Sequence, residues 1–104
     1  MKNILIQIRA AVSNEKVIWR KHVLSRLIER GIKRKEILKV IIAGEIIEDY
    51  PEDQPYPSMF LFKIVKDRPL HVVISYDEFN KIVYIITAYE PTLEFFDEDF
   101  KTRK

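Results

Sequence analysis

A chain of 104 residues with 47% hydrophobic side chains has enough apolar surface for one packed core and too little length for two, which excludes intrinsic disorder and a multidomain architecture. The formal charge is +2, and with no cysteine and two histidines disulfides and thiolate zinc sites are excluded, a transition-metal centre is disfavoured and no cofactor is expected. No apolar run approaches the roughly 18 residues needed to cross a membrane and no leader cleavage site follows the first apolar run, so the expectation is one soluble, cytoplasmic domain over residues 1–104.

Ile4, Ile8 and Val12, with Leu5 on their flank, recur at helical spacing and predict a first helix over residues 2–12, broken at Ser13-Asn14. Lys16 to Arg30 read as a second helix that Gly31 closes in a left-handed cap. A third helix over 34–43 buries Ile37, Leu38, Ile41 and Ile42 and is expected to end at Gly44 by the same device. Beyond Gly44 the apolar period changes to two, predicting strands at 45–49, 58–66, 70–77 and 82–89. Lys66-Asp67-Arg68-Pro69 and Asp77 to Lys81 read as hairpin connections, with Asn80 the residue best able to accept positive φ. The loop from Tyr50 to Pro57 holds three of the five prolines; it is stiff, and reads either as the rim of a cleft or as a rigid connector.

The predicted fold is α+β: two to three N-terminal helices packed on one face of a mostly antiparallel four-stranded sheet. It divides into a helical half, 1–44, a strand half, 45–91, and a C-terminal tail, 92–104. Residues 1–44 carry eleven Lys or Arg against three Asp or Glu, and residues 45–104 carry seven against thirteen. A basic helical half suits an anionic partner such as RNA, while the acidic half could balance it within the chain.

The second helix concentrates the chemistry. In His22-Val-Leu-Ser-Arg26-Leu-Ile-Glu29-Arg30-Gly31, residues four and eight apart share a face, so His22, Arg26 and Arg30 form one polar stripe opposite Val23, Leu24, Leu27 and Ile28. Guanidinium forks match phosphate oxygens, and a neutral imidazole beside them can take or give a proton near pH 7. In the third strand alternation puts Leu70, Val72, Ile74 and Tyr76 on one face and His71, Val73, Ser75 and Asp77 on the other. In the fourth, Val83, Ile85, Thr87 and Tyr89 are expected to share a face, and His71, Thr87 and Tyr89 need partners or solvent.

His22-x3-Arg26-x2-Glu29-Arg30-Gly31-Ile32, then Gly44 to Pro51, Pro57-Ser58, Arg68-Pro69-Leu70-His71-Val72-Val73 and Ile86-Thr87-Ala88-Tyr89-Glu90-Pro91, resemble in order the domain of unknown function 4258 family, and the tail from Phe96 to Lys104 also resembles it. Lys33, where a Ser or Thr would cap the third helix, and Phe96, where a tryptophan is usual, depart from its pattern. The resemblance implies likeness to small toxins of the RelE, MqsR and BrnT type, a zinc-finger antitoxin as partner, and endoribonuclease activity without metal. It marks His22, Arg26, Arg30, His71 and Tyr89 as the catalytic candidates. Lys33, Arg34 and Lys35, with Ser58 and Arg68 from the matched motifs, are the candidate RNA contacts.

RNA cleavage without metal needs a base for the ribose 2′-hydroxyl, cations for the pentacoordinate phosphate and an acid for the departing 5′-oxygen. The expected roles are His22 or His71 as base, the other histidine or Tyr89 as acid, and Arg26 with Arg30 as phosphate clamp. The alternative is a non-catalytic module, or a degenerate toxin, that binds RNA or an acidic protein through the same stripe. The acidic tail is expected either to contact an antitoxin or to pack across the basic helices.

Overall fold

The computed structural model describes residues 4–104. Helix α1 spans Ile4–Ser13; residues 2 and 3 of the expected first helix lie outside the described residues. The expected second helix divides: Val17–Trp19 is a strand, β1, and α2 spans Lys21–Arg30. Two β-branched residues followed by tryptophan favour extended backbone. Helix α3 spans Arg34–Ala43, and strands β2 to β5 span Glu45–Tyr50, Ser58–Val65, Arg68–Asp77 and Ile82–Tyr89.

The sheet is five-stranded and mixed, in the order β1-β5-β4-β3-β2, where four antiparallel strands were expected. The added strand β1 runs parallel to β5, with Val17 opposite Val83 and Trp19 opposite Ile85, and the other neighbours are antiparallel. The α+β class stands, with the helices on one face. Ile8 from α1, Leu27 from α2 and Ile37 and Ile41 from α3 pack on Leu61, Leu70, Val72, Ile74 and Val83 in one buried cluster. The opposite face carries Phe60, Phe62, His71, Val73, Ser75 and Asp77, as alternation requires once Leu70 and Val72 face the helices.

The glycines end helices by different means. Gly31 has φ 66° and ψ 33°, the left-handed cap expected, and Ile32 N–H reaches back to Leu27 O at 3.0 Å. Gly44 has φ −83° and ψ −177°, ordinary extended backbone, which corrects the expectation of a second left-handed cap. Its requirement is space: a Cβ there would collide with the carbonyl oxygens of Val40 and Phe62. Arg9 closes the same helix end from α1, donating from Nε to Ile41 O at 3.0 Å and from its terminal nitrogen to Gly44 O at 2.8 Å, a cation where the helix dipole is negative.

The first hairpin turns through Lys66 and Asp67, both at positive φ. In the second, Lys81 and not Asn80 takes positive φ. Asn80 instead donates its backbone N–H and its side-chain amide to the Asp77 carboxylate, at 3.0 and 2.8 Å. Asparagine serves this turn through its hydrogen bonds.

Candidate functional site

A bulge in β5 decides where its polar residues point. Val73 pairs with Thr87 and Ile74 with Ile85, so Ile86 is the extra residue. Val83 and Ile85 face the helices, whereas Thr87 and Tyr89 stand opposite Val73 and His71 on the other face. Strict alternation had put all four on one side; the bulge corrects that and brings Tyr89 to His71.

His71 is fully buried. Its Nε2 lies 2.6 Å from the Phe100 carbonyl oxygen and its Nδ1 lies 3.2 Å from the Tyr89 hydroxyl. A carbonyl only accepts, so Nε2 carries the proton, and Nδ1 accepts the hydroxyl proton of Tyr89. The rings of Phe62, Tyr89 and Phe96 pack edge-on around the imidazole, with centroids at 5.8, 5.3 and 4.6 Å. Burial holds the His71 pKa below its usual 6.5, with the Phe100 carbonyl and the Glu48 charge opposing, and burial likewise raises Tyr89. At neutral pH His71 is therefore a neutral base and Tyr89 keeps its proton.

The tail that closes over His71 lies across this face of the sheet and not against the basic helices, with Phe96 buried and Glu94, Asp97, Glu98 and Asp99 exposed. Phe96 and Arg103 form a bridge, and Asp99 accepts the backbone N–H groups of Lys101 and Thr102 at 2.8 and 3.0 Å. Arg103 donates to both Glu48 oxygens at 2.6 and 3.1 Å and lies over the Phe60 and Phe96 rings. Beside it a cavity of about 300 Å³ is lined by Tyr89, Glu90, Phe95, Phe96 and Arg103.

The polar stripe of α2 borders this site at one end. Beyond β1, which reaches only to Trp19 opposite Ile85, the edge of β5 has no strand beside it among the described residues. Arg30 fills that place, donating to Ala88 O at 2.8 Å and to Thr87 Oγ1 at 3.2 Å. Its positive charge acts to lower the Tyr89 pKa, against the larger effect of burial. His22 and Arg26 are exposed on α2, and His22 precedes Arg30 by eight residues, about 12 Å along the axis. The fold thus joins His71 to Tyr89, holds Arg30 at the preceding residues Thr87 and Ala88, and sets His22 about 12 Å along α2 from Arg30. At the other end of α2, Arg20 lies 5.5 Å from the centre of the Tyr84 ring, which stacks on Tyr56 at 5.5 Å.

The candidate RNA contacts separate. Lys33 and Lys35 are exposed, and Arg34 is exposed with its guanidinium 5.6 Å over Trp19. No side chain caps α3 at Lys33; Glu36 accepts the Lys33 backbone N–H at 2.9 Å. Arg68 is an internal clamp, donating to Gly31 O at 2.9 Å and Glu36 Oε1 at 3.3 Å. Ser58 is buried and donates to Asp53 Oδ2. It lines a cleft of about 430 Å³ between the sheet face, at Phe60, Val73, Ser75 and Ile86, and the proline-rich loop, at Tyr50 and Asp53 to Tyr56. That loop rims a cleft, one of its two expected roles. The sequence reading gave no role to Glu48, Arg103 or the Phe100 carbonyl, although Glu48 lies in the Gly44 to Pro51 run, and Phe100 and Arg103 in the tail, that carry the family resemblance.

Among the described residues no three His, Asp or Glu side chains converge as a metal site, and no helix is long and apolar enough to cross a membrane. The model of a family described as a domain of unknown function (DUF4258) matches residues 19–90, from the end of β1 through β5. That span holds every candidate residue and leaves out α1 and the tail. No curated protein and no solved structure matches the chain.

Proposed function

The chain belongs to the family described as a domain of unknown function (DUF4258), and from that premise we propose that it is an endoribonuclease of the small-toxin type that works in the cytoplasm without metal and is held in check by a cognate antitoxin. The observation that carries the reading is at the end of β5: the exposed Arg30 guanidinium is held by Thr87 and Ala88, next in the strand to Tyr89, whose hydroxyl is hydrogen-bonded to the neutral, buried His71 imidazole.

In this reading Arg30 and Arg26, one helical turn apart, bind the scissile phosphate and the charge that develops on it. Tyr89 takes the 2′-hydroxyl proton as its own passes to His71 Nδ1, the Phe100 carbonyl holds the imidazolium through Nε2–H, and the proton returns through Tyr89 to the departing 5′-oxygen, which leaves His71 neutral again. His22 lies too far along α2 to share that phosphate and binds a neighbouring one. Lys33, Arg34 and Lys35 extend the basic track. The positive charges at the N-terminus of α3 cost a few tenths to about 1 kcal/mol against the helix dipole, which a bound polyanion offsets.

The second reading, a non-catalytic module, draws on the same imidazole: both His71 nitrogens are occupied and the ring is closed off by Phe96 and Phe100, as in a structural core histidine. Cleavage of a single-stranded RNA by purified protein in the presence of a chelator, compared with the Tyr89→Phe variant, separates the two. The proposal expects cleavage that the variant loses. Tight RNA binding without cleavage by either protein supports the module.

A further inference from the structure

The 430 Å³ cleft beside the proposed active site has walls of a particular kind. Its floor is apolar, with Val73 and Ile86 on the sheet, and its flat surfaces are the rings of Tyr50 and Phe60, which pack edge-on at 5.7 Å on one side. Its polar groups are the Asp53 carboxylate, the Gln54 amide and the hydroxyls of Ser58, Ser75, Tyr56 and Tyr50, the last donating to Glu48 Oε1 at 2.8 Å. Ser58 donates to Asp53 Oδ2 and fixes the carboxylate at the end of a proline-rich loop. No Lys or Arg among the described residues pairs with Asp53.

We propose that this cleft is a base-recognition subsite that seats one unstacked guanine of single-stranded RNA. The inference rests on the ribonuclease reading for its biological use and on the cleft alone for its chemistry. Unstacked bases are read by stacking on flat side chains and by hydrogen bonds to their Watson–Crick edge. Guanine alone among the four bases presents two adjacent donors there, N1–H and the exocyclic amino group, and a carboxylate offers two acceptors. Adenine and cytosine would turn a ring-nitrogen lone pair toward the carboxylate, and uracil would turn carbonyls. The guanine O6 then accepts from Ser75 or Gln54. Asp53 Oδ2 keeps a free lone pair beside its bond from Ser58.

The position suits the chemistry of cleavage. Val73 on the cleft floor is the cross-strand partner of Thr87, and directly opposed residues have Cβ atoms about 5 Å apart. Thr87 is the residue that Arg30 holds. A base in the cleft therefore places its own phosphate linkage at the arginine stripe, and the Arg20–Tyr84–Tyr56 stack at the rim is a platform for the next base.

The test is a titration of isotope-labelled protein with guanosine 3′-monophosphate and, separately, adenosine 3′-monophosphate, followed by backbone amide shifts, together with mapping of cut sites on a mixed-sequence RNA. Phosphate contacts are common to both nucleotides and cancel in the comparison. The expected result is guanosine binding tighter by at least about tenfold, the scale of one charge-assisted hydrogen bond, with shifts at Ser58, Ser75 and Ile86. Asp53→Asn, in an exposed loop, should erase the preference, and Ile86→Trp, at a half-exposed position, should fill the cleft and abolish binding. Equal binding of the two nucleotides, binding of neither, or a preference that survives Asp53→Asn overturns the subsite. Cleavage without base preference would overturn it and leave the ribonuclease reading intact, whereas guanosine-selective binding without cleavage would support the subsite and remove the nuclease.

Discussion

His71 shows how a polar residue in a strand is satisfied by chain that is remote in sequence. Alternation was enough to set it on the face opposite Leu70 and Val72, and its need for partners followed from the apolar character of both faces. The partners themselves were not legible, because Phe100 lies 29 residues on and enters through a backbone carbonyl, which has no side-chain signature. Burial lowers its folded pKa below 6.5, so the unfolded chain binds a proton more readily than the folded one. The contribution of the neutral imidazole is complete above pH 6.5 and is lost as the pH falls below it; Glu48, held low by Arg103, adds a loss below 4.5. Chemical denaturation at pH 7.5 and 5.5 should show lower stability at the acidic value, and His71→Phe should flatten that difference. In Tyr89→Phe the buried Nδ1 loses its donor, at a cost of about 1 to 3 kcal/mol in unfolding free energy. If Tyr89 carries the proton, cleavage falls by about a hundredfold to ten-thousandfold in the same variant.

At the level of elements, the long periodic segments were readable and the short corrections to them were not. α3 and β5 have the boundaries that periodicity gave them, because ten and eight residues carry several repeats of the apolar pattern. β1 has three residues and no repeat, and the β5 bulge is one residue with no distinguishing composition. Both bear on the site: β1 leaves the end of β5 open for Arg30, and the bulge turns Tyr89 toward His71. The two glycines separate in the same way, since a sequence marks a glycine without saying whether it needs positive φ or room. Gly31→Ala should cost about 1 kcal/mol through its left-handed backbone, with nothing within 4 Å of the added methyl. Gly44→Ala should cost about 3 kcal/mol or more, because backbone of α3 and β3 must move apart. Thermal unfolding of the two variants checks the order.

Across the whole molecule the charge asymmetry has a structural outcome. The tail pairs Lys101 with Glu45 and Arg103 with Glu48, so these basic residues of the tail are matched by acidic residues of β2. The stripe on α2 and the start of α3 is left exposed, with Arg26, Lys33 and Lys35 facing solvent. Under the proposed function this surface takes the RNA, and the affinity should fall steeply as salt rises from 50 to 200 mM, the slope following the number of phosphates neutralised. Arg103→Ala removes a half-exposed ion pair together with the contacts over two rings, and should loosen the tail by about 1 kcal/mol while leaving the helices folded.

Arg30 belongs to the polar stripe and is held at Thr87 and Ala88, next in β5 to Tyr89, and the proposed function depends on it. The decisive measurement is the initial rate of cleavage of a single-stranded RNA, in chelator, by the wild-type chain and by Arg30→Ala with its fold verified by circular dichroism. A rate lower by about tens to thousands of fold, equivalent to about 2 to 4 kcal/mol of transition-state stabilisation, is the predicted result. Wild-type turnover in the folded variant, or no cleavage by the wild-type chain, would contradict it.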